Sequence, residues 1–312
     1  MTDDVGAALA LGEAGPLRGT HRFSHAAMAT VFEVHCAHAD AGYARQAAQA
    51  AFDLVDRLEL ELSRFIANSD ISRINHLAAG ESTRVSPGTM ECLEISWHLH
   101  TLTGGVFDVS IGSGIEHLEL VPEAFAVHAR EGGTRLDLGG IGKGYAVDRM
   151  AELLEEWEIS RALVHGGFSS VLALEAPPDR DGWPLTLSTP GLGDHVFVRL
   201  SARQMALSAS GTRKGAHIRD PRSGRTVQGR AAWAALPRRV EEAGNADAGW
   251  PDALRTPAAV AEGLSTAFMI LPVEDIAGLC GKRPGIEAWL VREPTEGGSR
   301  AAALVHLATP GA

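Results

Sequence analysis

The 312-residue chain has only three cysteines, Cys36, Cys92 and Cys280, and no two of them form a C-x-x-C pair. This scattered, odd set gives no disulfide framework and no zinc site built on cysteine pairs. No stretch of the sequence approaches the ~18 uncharged apolar residues that a membrane-spanning helix requires. The first residues also lack the basic region of a secretory signal peptide. We therefore expect a cytoplasmic protein without a stable membrane anchor.

Positive charge is scarce as well. The chain has 28 Lys and Arg against 39 Asp and Glu, for a formal net charge of −11. This balance disfavours nucleic acid as a partner, because phosphate backbones bind clustered Lys and Arg. Hydrophobic residues make up 45% of the chain, which is enough for a sizeable core in one large domain or two closely packed ones.

Strand and helix signals are mixed along the chain without strict alternation, which favours an α+β fold of mixed sheets with flanking helices over a doubly wound sheet. Residues 1–20 are predicted to be a loose arm, residues 21–312 the main domain, and residues 234–260 an inserted loop within it. Alternating hydrophobic and β-branched residues predict strands, and helical periodicity and caps predict helices. Residues 105–111 are predicted to form a strand-to-turn unit. The predicted strands are 30–36, 161–174 (with a bend), a meander of 184–189, 195–200 and 204–209, and 286–292, and the predicted helices are 41–62, 87–103, 143–158 and 261–271.

The segment 136–148 is rich in glycine and places Lys143 between an apolar strand and an amphipathic helix. Glycines allow backbone N–H groups to approach an anion, and the N-terminus of the following helix presents further N–H groups to the same place. This chemistry predicts a nucleotide-phosphate site, although neither G-x-x-x-x-G-K-[ST] nor G-x-G-x-x-G is present. The structural alternative is a tight strand-to-helix turn that needs only small residues.

Two further segments combine a buried-type aromatic residue with nearby polar groups. After Phe65, which could stack on a planar ring, the residues around Ser69 resemble a turn and the start of a helix. Phe107 is followed by Asp108, whose carboxylate could accept a hydrogen bond from a ring N–H or a sugar hydroxyl. The structural alternatives are a capped helix with a core phenylalanine, and an aspartate bonded to its own turn.

The second half of the chain supplies a candidate base and a candidate metal site. His217 ends a basic loop that could hold a pyrophosphate, and it could take a proton from a hydroxyl nucleophile. Glu262 and Thr266 are spaced i, i+4, so both oxygens lie on one helix face and could bind Mg²⁺ together with phosphate and water. The alternatives are a surface histidine, and a glutamate that caps its helix while the threonine bonds back to it.

The motifs and their order, from about His25 to Leu271, resemble the FAD:protein FMN transferase family, also called ApbE-type flavin transferases. The segments that carry the resemblance are H-x-x-M-A-T at 25–30, L-S-R-F at 62–65, S-D-I-S-R-I-N at 69–75, G-V-F-D at 105–108, D-L-G-G-I-G-K-G-Y-A-V-D at 137–148, G-G at 166–167, S-A-S-G at 208–211, H-I-R-D-P-R-S-G at 217–224 and L-S-T-A at 264–267.

The resemblance implies a two-lobed single unit with an FAD site between its lobes. It also implies that the protein uses Mg²⁺ to transfer the FMN half of FAD to a Thr or Ser hydroxyl in a flavinylation segment of an acceptor protein, releasing AMP. Two other activities fit the same motifs. One is FAD binding without transfer, and the other is hydrolysis of FAD to FMN and AMP.

The resemblance also implies roles for individual residues. His217 would be the general base that activates the acceptor hydroxyl. Among the departures from the family pattern, Ala29 replaces a glycine and Glu262 replaces an aspartate. The expected FAD-binding residues are Met28, Phe65, Val106, Phe107, Asp108, Asp137, Lys143 and Ile218, and the expected metal ligands are the Gly140 carbonyl, Glu262, Ser265 and Thr266.

Overall fold

The structure is a computed structural model, and it describes residues 8–11, 17, 19–189, 195–211, 218–227, 230–238, 255–283, 285–292 and 303–308. Its strands are β1 (Ala8–Leu11), β2 (Thr20–Ala27), β3 (Thr30–Ala37), β4 (Ser82–Arg84), β5 (Leu118–Val121), β6 (Ala126–Ala129), β7 (Ala162–Gly166), β8 (Ser170–Ala173), β9 (Trp183–Thr189), β10 (His195–Ala202), β11 (Met205–Gly211), β12 (Arg230–Pro237), β13 (Glu287–Arg292) and β14 (Ala303–Leu307). Its helices are α1 (Ala41–Leu62), α2 (Asp70–Ile74), α3 (Pro87–Leu102), α4 (Gly142–Glu156), α5 (Pro257–Phe268) and α6 (Val273–Lys282).

The central feature is an eight-stranded sheet with the order β14-β13-β12-β11-β8-β7-β3-β2, in which every neighbouring pair is antiparallel. Two three-stranded sheets accompany it, with the orders β1-β9-β10 and β4-β6-β5. Helices flank the large sheet, so the predicted α+β class is confirmed. Among the described residues, no helix is both long enough and apolar enough to span a bilayer.

Side chains alternate between two cores on the faces of the large sheet, as the two-residue period of a strand requires. In β7, Val164 belongs to the core beneath the helices, whereas Leu163 belongs to the core beneath the sheet β1-β9-β10. The helix-side core brings α4 and α5 against the sheet, and these two helices carry the residues of the candidate site.

Side-chain caps begin α1 and α3 where helices were predicted, although only the cap at Ser86 was predicted from the sequence. The side chain of Asp40 accepts from the first turn of α1, and the Ser86 side chain accepts from Thr89 N at the start of α3. Ser69 caps α2 in the same way, 2.9 Å from Ser72 N. Side-chain acceptors of this kind satisfy N–H groups that the helix itself leaves free, so local sequence decides these helix boundaries.

Several predictions were wrong where long-range pairing decides the structure. Ala8–Leu11 is a strand paired with β9 and not part of a loose arm, because Leu9 is fully buried in the second core. The predicted loop 234–260 begins inside β12, and α5 starts at Pro257, while residues 239–254 lie outside the described residues. The predicted meander is split, since β9 pairs with β10 but β11 pairs with β8 and β12. Helix α6 and strand β14 were not predicted.

The hairpin between β2 and β3 is strained at Ala29. Ala27 pairs with Thr30, so the turn has two residues, and both Met28 (φ 49°) and Ala29 (φ 55°) are left-handed. Such turns favour glycine, because the left-handed region costs an L-residue about 1–2 kcal/mol. Ala29→Gly should therefore raise the free energy of unfolding by about 0.5–1 kcal/mol, part of the relieved strain being offset by glycine's freedom in the unfolded chain.

Urea unfolding of purified protein measures this difference. Ala27→Gly is the matched control, because Ala27 lies in regular β2 and glycine there should weaken the strand. The explanation fails if both variants lower the midpoint equally.

Buried His165 should make stability depend on pH. Its Nε2 lies 3.2 Å from Leu9 O, and burial lowers the pKa of His165 from the ordinary 6.5 to about 4. Below pH 6.5 the unfolded chain therefore binds a proton that the folded protein does not, so stability falls as pH decreases from 6.5 towards 4. The loss is on the order of 3 kcal/mol.

The measurement is urea unfolding of the wild type and His165→Gln at pH 7.5 and pH 4.5. The variant should lose less stability than the wild type between these values. An identical loss in both proteins would show that His165 does not carry the pH dependence.

Candidate functional site

The glycine-rich segment lies at a cavity of about 800 Å³. Its walls come from the turn Leu138–Gly140, the first turn of α4, the middle of α5, the end of β11 and residues 106–111. A volume of this size is typical of small-molecule and cofactor sites, which span roughly 300–1,000 Å³. The predicted glycine turn before α4 is thus also one wall of a ligand-sized space, but residues 133–137, which lead into it, do not form the predicted strand.

Asp137 precedes this turn and pairs with Arg64, a second cationic residue at the cavity wall. Its Oδ1 accepts from Gly139 N at 2.9 Å, and its Oδ2 lies 2.9 Å from Arg64 Nε. The Asp137 backbone is held in turn, because its N–H donates to Val109 O at 2.7 Å. Arg64 lines the cavity beside Asp137, a role that the sequence analysis missed.

Lys143 and Glu262 form an ion pair across the α4–α5 contact. Lys143 Nζ contacts Glu262 Oε1 and lies 3.2 Å from Gly139 O. Glu262 is only 4% exposed, and its Oε2 accepts from Gly144 N at 2.5 Å. A buried carboxylate needs this kind of compensation, here an ammonium group and the N-terminus of a helix. Glu262 therefore caps α4 and not its own helix, which was the structural alternative.

A chain of hydroxyl groups in mutual contact extends from Glu262 along the interface between α5 and β11. Thr266 Oγ1 lies 3.0 Å from Glu262 O, the back-bond considered above, and Thr266 also lines the cavity. Ser210 Oγ lies 3.3 Å from Thr266 Oγ1 and 2.9 Å from Ser265 Oγ. Ser265 is fully buried, and its Oγ lies 3.3 Å from Ser208 Oγ and 3.0 Å from Glu262 O. Its hydroxyl thus faces protein groups and is not part of the cavity wall.

The oxygen donors at this corner fit a hard cation. Glu262 and Thr266 face the cavity, and a Cβ placed on Gly140 would lie 3.7 Å from Thr266 Oγ1, so the Gly140 backbone adjoins them. Mg²⁺ binds few protein oxygens, often one or two carboxylates, and completes its octahedron with water and substrate phosphates. The residues present therefore fit Mg²⁺ together with a phosphate-bearing ligand.

Val106, Phe107 and Asp108 all line the cavity. The carboxylate of Asp108 accepts hydrogen bonds from Ser110 N at 2.8 Å and from Gly112 N at 2.7 Å. It is thus bonded to its own turn, which was the structural alternative. These bonds explain why residues 105–111 form turns and not the predicted strand-to-turn unit.

The same turn holds Ile111 in the left-handed region, at φ 51°, with its side chain half exposed on the cavity wall. A β-branched residue is rarely found in this region, and such strain concentrates at functional sites. Ile111 is therefore a further wall residue that the sequence analysis missed.

Ile218 also lines the cavity, together with Arg219 and Pro221. The predicted turn after it is present, since Gly224 N donates to Asp220 O at 2.7 Å. His217, the predicted base, and the basic loop before it lie outside the described residues. The structure thus brings Ile218 to the cavity and leaves the role of His217 as a prediction.

Comparison with known proteins places the chain in a family. A model described as the ApbE family matches residues 28–248, well over half of the chain. The chain belongs to the ApbE family. A protein of Klebsiella pneumoniae (strain 342) named FAD:protein FMN transferase is 25% identical over 215 residues, which cover 57% of this chain and 66% of that protein. The chain thus spans just under two thirds of that relative's length.

Solved structures agree on the ApbE fold. The flavin transferase ApbE from Vibrio cholerae superimposes with a TM-score of 0.75 at 19% identity, over 92% of this chain and 97% of that one. The apo form of the Pseudomonas stutzeri flavinyl transferase ApbE gives a TM-score of 0.75 at 19% identity, over 92% and 94% of the two chains. Identities this low establish the fold alone.

Two ApbE-motif residues predicted to bind FAD lie off the cavity wall. Met28 packs against the helix-side core, while its neighbours Ala29 and Thr30 line the cavity. Phe65 is 81% exposed, and its ring centroid lies 4.3 Å from the Arg64 guanidinium carbon. The FAD-binding roles of Met28 and Phe65 stay predictions.

Two other ApbE motifs support the site without lining it. Asn75 is buried, its Oδ1 accepts from Leu136 N at 2.6 Å, and its Nδ2 donates to Leu136 O at 3.0 Å. The 69–75 motif therefore holds the segment that leads into Asp137. His25 Nε2 lies 2.7 Å from Asp56 Oδ1, which ties β2 to α1. Only the tertiary structure reveals these two supporting contacts.

Proposed function

We propose that this protein transfers the FMN half of FAD to a Thr or Ser hydroxyl of an acceptor protein, releasing AMP, with Mg²⁺ bound. One observation carries the proposal. Lys143, the glycine turn and the Glu262–Thr266 face meet at one corner of the cavity, where a pyrophosphate would find a cation, the N-terminus of α4 and oxygen ligands for a metal. The names of the ApbE relatives support the same reaction.

The reaction needs an oxygen nucleophile and charge neutralisation at phosphorus. The acceptor hydroxyl oxygen forms a bond to the FMN phosphorus, the bond from that phosphorus to the bridging oxygen breaks, and AMP leaves with the bridging oxygen. His217 would take the hydroxyl proton. Mg²⁺, held by Glu262, Thr266 and the Gly140 carbonyl, would neutralise charge that develops on the phosphate oxygens.

The other cavity residues bind and orient FAD in this proposal. Lys143 and the N-terminus of α4 would hold the pyrophosphate. Val106, Phe107 and Ile218 supply apolar wall for the planar rings, and Asp137 fixes the turn that presents the Gly140 carbonyl. Ser265 would act behind Thr266, because its hydroxyl bonds protein groups and does not face the cavity.

The amounts of AMP, free FMN and covalent flavin distinguish FMN transfer from FAD hydrolysis and from FAD binding without transfer. Purified protein with FAD and Mg²⁺ should release AMP in the presence of a Thr-containing acceptor peptide, and AMP should equal the covalent flavin formed. Free FMN in amounts equal to AMP would identify an FAD pyrophosphatase instead. Bound FAD with no AMP, with or without the peptide, would identify a flavin-binding protein without transfer.

A further inference from the structure

The cation that occupies the candidate metal corner is the protein's own. Lys143 Nζ contacts Glu262 Oε1 and also lies 3.2 Å from Gly139 O, next to Gly140, the expected carbonyl ligand. The second carboxylate oxygen of Glu262 is bonded to Gly144 N. Both oxygens of the only carboxylate proposed as a metal ligand are therefore already engaged.

We propose that Lys143 is an internal counter-cation that keeps this corner closed to a divalent metal until a diphosphate draws the lysine away. The diphosphate and the metal then bind cooperatively. This inference rests on the proposed function only in taking the ligand to be a dinucleotide with a pyrophosphate. It assigns Lys143 a second role, as the residue that sets the coupling between the two ligands.

Burial explains why the corner needs a resident cation. The Glu262 side chain is 5% exposed, and an unpaired carboxylate at such a site is strongly unfavourable because it has lost its hydration. A divalent ion placed beside the Lys143 ammonium would also be repelled at short range. The metal can therefore bind to Glu262 only where Lys143 has another anion to pair with, and the diphosphate supplies that anion.

The geometry determines which of the two partners moves. A Cβ on Gly144 would lie 2.7 Å from Ala258 C and 2.9 Å from Ala259 Cα, so the backbones of α4 and α5 are in close contact, and bonds from Ala258 N and Ala259 N to Asp148 hold them together. Glu262 is enclosed, whereas the Lys143 side chain is 20% exposed and borders the cavity. The lysine can thus turn towards a ligand while Glu262 stays in place.

Metal binding without catalysis tests the proposal. Mn²⁺ affinity of the full chain would be measured by electron paramagnetic resonance, with and without saturating ADP, a diphosphate that carries no FMN to transfer. Lys143→Met should bind Mn²⁺ on the order of tenfold more tightly than the wild type without ADP. ADP should raise the affinity of the wild type by a similar factor and that of the variant much less, because coupling between two ligands is reciprocal.

Lys282→Met is the matched control, since Lys282 is an exposed lysine at the end of α6, and it should behave as the wild type. Equal or weaker Mn²⁺ binding by Lys143→Met without ADP overturns the proposal. Lys143→Gln provides a second variant if circular dichroism shows that the methionine variant is unfolded, and the wild-type response to ADP needs no variant. Because no step involves transfer, this outcome is independent of whether FMN transfer occurs.

Discussion

Replacing Gly144 with alanine should lower the free energy of unfolding by about 3 kcal/mol, the upper part of the range for overpacked sites. The new Cβ would meet the backbone of α5, including the Ala258 carbonyl oxygen, and not the flexible end of a side chain. The helices cannot simply separate, because Asp148 of α4 accepts from Ala258 N at 3.0 Å and Ala259 N at 2.8 Å. Any shift would also move Lys143 relative to Glu262.

Gly142→Ala is the matched control for this prediction. Gly142 lies in the same first turn of α4, but a Cβ there would meet nothing within 4 Å. Urea unfolding should show the Gly142 variant at least as stable as the wild type, since alanine favours a helix over glycine. Two variants of equal stability would contradict the close α4–α5 contact.

Replacing Glu262 with glutamine should reduce FMN transfer on the order of a hundredfold or more, the effect of losing one group that stabilises transition-state charge. An amide keeps the shape of the side chain but loses the negative charge that the metal requires. The Lys143 ammonium would also lose its partner in a mostly buried position. Transfer rates at saturating FAD and Mg²⁺, together with Mn²⁺ affinity, measure both consequences.

Two variants make the Glu262 result specific. Glu262→Asp keeps the charge and restores the residue usual in the family, so it should retain far more transfer than Glu262→Gln. Glu274→Gln makes the same chemical change at an exposed position of α6 and should leave transfer unchanged. If the glutamine variant transferred FMN at the wild-type rate, Glu262 would have no part in the metal site.

Local signals in the sequence predicted those parts of the fold that local contacts decide. Helical periodicity located α1, and the cap at Ser86 located α3, because both signals depend on a few neighbouring residues. Strand β1 was missed because its place depends on pairing with β9, far along the chain. Strand pairing reflects tertiary context more than intrinsic preference, so short stretches of sequence do not reveal it.

In the candidate site too, the sequence predicted the features that local patterns determine and missed those that long-range contacts determine. The glycine turn and the i, i+4 pair Glu262 and Thr266 are local patterns, and the fold brings them to one cavity. Arg64 and Asn75 act through side-chain contacts with Asp137 and Leu136, which are far away in sequence, and no local pattern indicates these contacts. The inward direction of Ser265 likewise depends on β11 packing against α5.

The most direct test of the account is the mass of an acceptor peptide after incubation with the protein, FAD and Mg²⁺. FMN transfer should increase the peptide mass by one FMN less water, located on the Thr or Ser of the peptide. The increase should be absent when that residue is replaced by valine or when the metal is chelated. An unmodified peptide, with FAD bound and divalent metal present, would contradict FMN transfer by this protein.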